Sequence, residues 1–201
     1  MTPVVLYIHG KGGNAAEAEH YRQFFPGCEV VGMDYTAQTP WEAEAEFPTL
    51  YDALCGEARE IILIANSIGA YFAMHSLRNK PITRAYFISP VVDMQALIAN
   101  MMQWANVTEA QLREKQIIPT DFGEALSWEY LCYVRAHPVR WHVPTHILYA
   151  GRDNLTSCET MTDFAQKTGS TLTIMPDGEH WFHTPAQMAF LDAWLTAHAT
   201  A

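Results

Sequence analysis

The sequence predicts an α/β protein: a mostly parallel, doubly wound sheet of about six strands with helices on both faces. It reads as a single domain over residues 1–201, carrying a helical cap insertion at about 91–144. Three observations predict this. Short apolar runs alternate about six times with stretches of helical periodicity, the pattern that a parallel sheet and its crossover helices require. The length of 201 residues suits one domain with a substantial core. A single long stretch, Val91 to Pro144, lacks a good strand and interrupts the alternation.

Element by element, Val4 to Ile8 is the first apolar run and Ala15 to Phe25 is helix-like. Cys28 to Met33 is a run, and Trp41 to Cys55 reads as a helix interrupted by Pro48. Ile61 to Ala65 is rich in β-branched residues and reads as a buried strand. A helix over Ser67 to Arg78 follows at once, with Tyr71, Met74 and Leu77 at helical spacing. Ala85 to Ser89 and His146 to Ala150 are further runs. Ser157 to Lys167 reads as a helix and Leu172 to Met175 as a strand. The final helix spans Pro185 to about His198. Thr184 is its cap, Pro185 sits at the first turn, and Gln187 completes a capping box.

Within Val91 to Pro144, helix-like pieces occur around Met94 to Trp104, Glu109 to Gln116 and Ala125 to Arg135. A connection this long inside a compact unit is unusual without its own structure and task. It reads as a helical cap over the carboxyl edge of the sheet, where open α/β sheets bind ligands. Most of its aromatic residues are expected to pack the cap.

Hydrophobic residues make up 49% of the chain and charged residues 17%, ordinary globular values that exclude disorder and fibrous classes. Lys and Arg number 12 against 22 Asp and Glu, a net charge of −10. An acidic chain without a basic run is a poor match for nucleic acid or an anionic membrane surface. No apolar run approaches the ~20 residues of a membrane span, and the first strand begins too early for a secretory signal. The four cysteines are far apart and form no C-x-x-C, so reduced thiols in a cytoplasmic protein are expected. The oligomeric state is not legible.

Four short stretches carry chemistry. "HGKGGNA", from His9 to Ala15, follows the first strand. Written Gly10-x-Gly12-x-x-Ala15, it satisfies a dinucleotide fingerprint, with Asp34 near the place of the ribose acid. "ANSIG", from Ala65 to Gly69, sets a serine at a strand-to-helix corner. There Ser67 is either a helix cap or a displayed nucleophile. "GRDN" places Asp153 just past a strand end, as a turn residue or an acid. "GEHWFH" places His180 in the loop before the last helix. The order Ser67, Asp153, His180, each after a separate strand, is the order of one known nucleophile–acid–base arrangement.

On these residues the chain resembles the α/β-hydrolase superfamily over essentially its whole length, in particular the small serine hydrolases of esterase or lysophospholipase-like type. Ala65 stands where the elbow pattern has its first glycine, and two antiparallel strands that usually open the fold are expected to be missing. The resemblance implies a carboxylesterase-like serine hydrolase acting on a small to medium carboxylic ester, without a cofactor or a metal. Ser67 would be the nucleophile, His180 the base and Asp153 its orienting acid. The backbone N–H groups of Lys11 and Ile68 would form the oxyanion hole. Trp41, Tyr71, Trp128 and Trp181 are candidates to line the pocket. His183 is an alternative base and Asp93 an alternative acid. His180 with His183 makes at most a weak metal motif, without a third ligand at a recognisable spacing. Two other readings stay open: a ligand-binding protein of this fold without turnover, and a dinucleotide-dependent oxidoreductase.

Overall fold

A computed structural model describes residues 2–199. In chain order the elements are β1 (Val4–Ile8), a 3-10 helix (Ala15–Phe24), β2 (Glu29–Gly32), α1 (Pro40–Cys55), β3 (Ile61–Asn66) and α2 (Ile68–Ser76). There follow β4 (Arg84–Ile88), α3 (Met94–Trp104), α4 (Glu109–Lys115), β5 (Ile117–Pro119), β6 (Ala125–Ser127) and α5 (Trp128–Ala136). The chain closes with β7 (Thr145–Ala150), α6 (Cys158–Thr168), β8 (Thr171–Met175) and α7 (Pro185–Ala199). They form two compact units. One joins the residues up to Val92 to those from Arg140 onward; the other is Asp93–Val139.

The larger unit is built on six parallel strands in the order β2-β1-β3-β4-β7-β8. The central strands read as unbroken apolar runs because both of their faces are covered. Val5, Leu6, Ile8, Leu63 and Ile64 are fully buried. One face packs Val5, Ile62 and Tyr86 with Tyr21 of the 3-10 helix and Trp194 and Leu195 of α7. On the other face, Phe47 of α1 meets Phe72 of α2 edge to face, with ring centres 6.2 Å apart. The register sets Ala65 of β3 beside Ile8 of β1 and Phe87 of β4. The carboxyl ends of the three central strands are thereby brought level, and they carry Ser67, His9 and Ser89.

Three sequence expectations are corrected. Pro48 does not interrupt α1, which runs from Pro40 to Cys55. A proline costs a helix one hydrogen bond. Here the capping box of Thr39 and Glu42 and the buried row Ala43, Phe47, Tyr51, Cys55 hold the helix together. The piece from Ala15 is a 3-10 helix, started by a capping box of Asn14 and Glu17.

The third correction lies in the smaller unit, which contains a β-hairpin, β5 with β6, besides its helices. Ala125 to Ser127 is a strand, so α5 begins only at Trp128, capped by Ser127. Strands of three residues show no periodicity to read. The hairpin is pinned by its turn: Gly123 has φ 84°, and the Thr120 backbone N–H and hydroxyl both donate to Glu124 O. Within this unit Arg135 of α5 grips Glu109 of α4 through two bonds, of 2.7 and 2.8 Å.

Candidate active site

Ser67 occupies the corner between β3 and α2 with φ 51° and ψ −123°, a conformation that costs a non-glycine residue energy. Its hydroxyl makes no cap hydrogen bond to α2. The ordinary role of a serine before a helix is therefore not taken up. Instead its Oγ lies 2.7 Å from His180 Nε2. The corner is held through its backbone: Ser67 N–H donates to Ile88 O at 3.0 Å, and Ser67 O accepts from Val91 N–H at 3.1 Å.

The corner leans on the loop after β1. A Cβ on Gly69 would come within 2.2 Å of His9 O, and one on Gly10 within 3.1 Å of Ser67 Cβ. Only glycine lets the two backbones approach this closely. Ala65, at the other small position of the elbow pattern, is buried in β3 and carries its methyl without strain. Gly69→Ala is expected to destabilise the protein by about 1–3 kcal/mol, the typical range for overpacking, and to shift the corner. A lowered thermal midpoint is the expected result; a variant as stable as wild type would contradict it.

The loop after β1 is fixed by its own His9 and by Tyr35, which no motif contains. His9 is buried, its Nδ1–H donates to Gly10 O at 2.8 Å, and its ring stacks on Tyr35 at 4.2 Å. Tyr35 also donates its hydroxyl to His9 O at 2.8 Å. The same loop answers the dinucleotide fingerprint. A pyrophosphate needs the free N-terminus of the helix after β1. Here the Glu17 carboxylate sits there, accepting from Asn14 N–H at 3.3 Å, and it lies against Gly13. The strand order also differs from the 3-2-1-4-5-6 order of that fold.

Asp153 follows β7 and spends both carboxylate oxygens. Oδ1 accepts from the N–H groups of Leu155 at 2.7 Å and Thr156 at 3.2 Å, and Oδ2 lies 2.7 Å from His180 Nδ1. Its side chain is fully buried. A turn aspartate and an acid facing a histidine are thus the same residue. Tyr149 packs nearby and donates its hydroxyl to Thr156 O at 2.8 Å. Burial, and secondly the charge of Asp153, push its phenol up to about 12.

The loops after β7 and β8 are tied together. Arg152 N–H donates to Gly178 O at 2.9 Å, Gly151 N–H donates to Met175 O at 2.8 Å, and Arg152 pairs with Asp177 at 2.5 Å. A Cβ on Gly151 would meet Pro176 O at 2.4 Å. This tie carries His180 to a point from which it reaches Ser67 and Asp153 with opposite edges of one ring.

The alternative residues have other work. His183 Nδ1 lies 2.6 Å from Trp181 O, and its ring stacks on Trp181. Asp93 caps α3 by accepting from Ala96 N–H at 2.9 Å. Among the described residues no group of three or more His, Cys, Asp or Glu is arranged to hold a metal ion.

Of the aromatic candidates, Trp181 lies beside the site and is 70% exposed. Tyr71 is buried inside α2 against His75, with ring centres 4.6 Å apart, so it does not line an open pocket as expected. Trp41 is the half-buried second residue of α1, and Trp128 opens α5 in the smaller unit. Ser89 was not legible as a site residue. It precedes a proline, a position biased to extended backbone, yet has φ 42° and a fully buried hydroxyl without a partner among the described residues. Such strain clusters at functional sites.

A cavity of about 390 Å³ opens beside the corner, lined among others by Asn66, Ile88, Trp181, Phe182, Tyr7 and Glu17. Asn66 directly precedes Ser67, and Trp181 directly follows His180. No sequence pattern marks Asn66, Tyr7 or Glu17 as cavity-lining residues. The only sequence signal at Glu17 is its place three residues after Asn14, which marks a helix start.

No known family model matches the chain, and no curated protein matches it in sequence. Solved structures do. The chain is similar to alpha/beta hydrolase domain-containing protein 10 from mouse, with a TM-score of 0.74 and 14% identity over 98% of this chain and 89% of that one. It is similar to Est1E from Butyrivibrio proteoclasticus, with a TM-score of 0.72 and 15% identity over 98% and 86%. It is also similar to an esterase from Pyrococcus furiosus, with a TM-score of 0.57 and 18% identity over 98% and 80%. The chain has the α/β-hydrolase fold.

Proposed function

We propose that this protein is a serine hydrolase that cleaves a small to medium carboxylic ester through a Ser67–His180–Asp153 triad and an acyl-enzyme. The observation that carries the reading is the continuous chain of two 2.7 Å contacts, Ser67 Oγ to His180 Nε2 and His180 Nδ1 to Asp153 Oδ2. It ends on a serine held at a strained corner. A serine hydroxyl is a weak nucleophile until a base stands beside it.

In this mechanism His180 Nε2 takes the Ser67 proton as Oγ bonds to the ester carbonyl carbon. The carbonyl electron pair moves onto oxygen. The tetrahedral species collapses, the ester C–O bond breaks, and the leaving alkoxide takes the proton from Nε2. Water then repeats the sequence on the acyl-enzyme: it gives a proton to Nε2, attacks the carbonyl, and releases the acid as the proton returns to Ser67. Asp153 holds His180 with Nδ1 protonated and offsets the imidazolium charge.

Two backbone N–H groups serve the oxyanion. Ile68 is the first residue of α2, where an N–H has no partner inside its own helix. The second is that of Lys11, next to Gly10, whose close approach to Ser67 brings this turn to the reacting centre. Loss of one such donor typically costs about 10²–10³ in turnover. Four free thiols support a cytoplasmic, reducing location. Among the described residues no helix is long and apolar enough to cross a membrane.

The purified protein is expected to hydrolyse p-nitrophenyl esters of short and medium acyl chains with saturable kinetics. A folded protein that turns over neither these nor the matching thioesters would defeat the reading.

A further inference from the structure

Resting on the hydrolase reading above, we propose that the cavity beside Ser67 is a subsite for a substituted ammonium group, so that the preferred ester carries a positive charge in its acyl or its alcohol part.

The cavity's position links it to the chemistry. Its lining includes Asn66, the residue before Ser67, and Ile88, whose carbonyl accepts the Ser67 N–H. It also includes Trp181 and Phe182, which directly follow His180. The lining thus contains the chain neighbours of both Ser67 and His180.

Its chemistry selects the occupant. The lining holds one carboxylate, Glu17, and no lysine or arginine. Glu17 Oε2 accepts from the Tyr7 hydroxyl at 2.6 Å and Oε1 from Asn14 N–H at 3.3 Å. A carboxylate has about four acceptor positions, so these two bonds leave it able to receive a cation. Burial pushes the Tyr7 phenol up, so Tyr7 stays the donor in its bond to Glu17.

The open wall is aromatic. Trp181 is exposed, with one face covered by the stacked His183 ring, whereas Tyr7 and Tyr21 of the lining are buried in the core. The free indole face attracts alkylammonium groups, most strongly where water is displaced. The two histidines of the lining stand beside carboxylates of their own. His20 is 2.8 Å from Asp192, and His183 is 3.7 Å from Glu179. The net charge of −10 draws cations toward the molecule at long range. A neutral alkyl group in the same place would desolvate Glu17 without replacing its water, which is costly for a carboxylate.

Glu17→Gln tests this directly. Glutamine also completes a capping box, its one amide oxygen accepting from Asn14 N–H, while its amide nitrogen faces the Tyr7 hydroxyl, which turns to accept, so the change removes charge and keeps the shape. The readout is the ratio of kcat/KM for cationic esters to that for neutral isosteres in which tert-butyl replaces trimethylammonium. One pair varies the alcohol part (choline esters) and another the acyl part, and the pair showing the preference identifies which part enters. Wild type should favour the cationic member about tenfold, and Glu17→Gln should abolish the preference. No preference in wild type, or a ratio that Glu17→Gln leaves unchanged, would overturn the proposal. A second measurement needs no turnover: calorimetric binding of benzyltrimethylammonium to the Ser67→Ala protein, with and without Glu17→Gln. Binding that Glu17→Gln weakens supports the subsite even if every ester is inert, an outcome that would sink the hydrolase reading alone. Absence of binding overturns the subsite alone.

Discussion

Replacing Ser67 with alanine is expected to abolish covalent capture by a fluorophosphonate and to lower ester turnover by about 10⁴–10⁶-fold, as removal of the nucleophile does in other triads. The fold should be retained. The Ser67 hydroxyl makes no cap bond, its partner in the structure is His180, and the corner is held by backbone bonds to Ile88 and Val91. Alanine meets the same strain at φ 51° as serine does, so the thermal midpoint should move by only a few degrees. Intact mass after treatment reads the outcome: one adduct on wild type and none on Ser67→Ala. A folded wild type that takes no adduct, or an alanine variant that takes one, would remove Ser67 from the centre of the mechanism.

The sheet was legible in the sequence because its central strands are covered on both faces, and such strands appear as unbroken apolar runs. Ser67, Asp153 and His180 were legible as a set rather than singly, because each follows a different strand and the sheet gathers strand ends at one edge. Elements set by neighbours rather than by pattern were not legible. Pro48 reads as a break, yet the buried face of α1 outweighs one lost hydrogen bond. Ile117 to Pro119 and Ala125 to Ser127 pair with each other over only three residues, too few to signal a strand.

The supporting residues of the site were hidden for a related reason. Tyr35 matters because its ring happens to stack on His9, and Glu17 because Tyr7 points at it from a neighbouring strand. In sequence these are an ordinary tyrosine and an ordinary helix-start acid. Tyr71 failed the other way. Helical spacing put it on an apolar face, and that face lies in the interior. Periodicity finds the buried side of a helix and carries no information on whether a ligand reaches it.

Asp153→Asn should cost turnover about 10⁴-fold, and the hydrogen bonds of Asp153 explain why so small a change is so damaging. Oδ1 accepts from two backbone N–H groups, Leu155 and Thr156. In asparagine only the carbonyl oxygen can accept, so it must take the Oδ1 position and the amide nitrogen must face His180. His180 Nδ1, now opposite a donor, becomes the acceptor, and its proton moves to Nε2. That nitrogen lies 2.7 Å from Ser67 Oγ, and once protonated it cannot take the serine proton. Geometry would be preserved while the wrong tautomer is locked in, so kcat should fall with the fold and KM for a p-nitrophenyl ester little changed. The tie of Arg152 to Gly178 and Asp177 keeps the two loops together in the variant, and loop collapse would not account for the loss. A drop of less than tenfold would mean that His180 chooses its tautomer without Asp153. The carboxylate would then be only what its two backbone bonds make it, the anchor of the turn after β7.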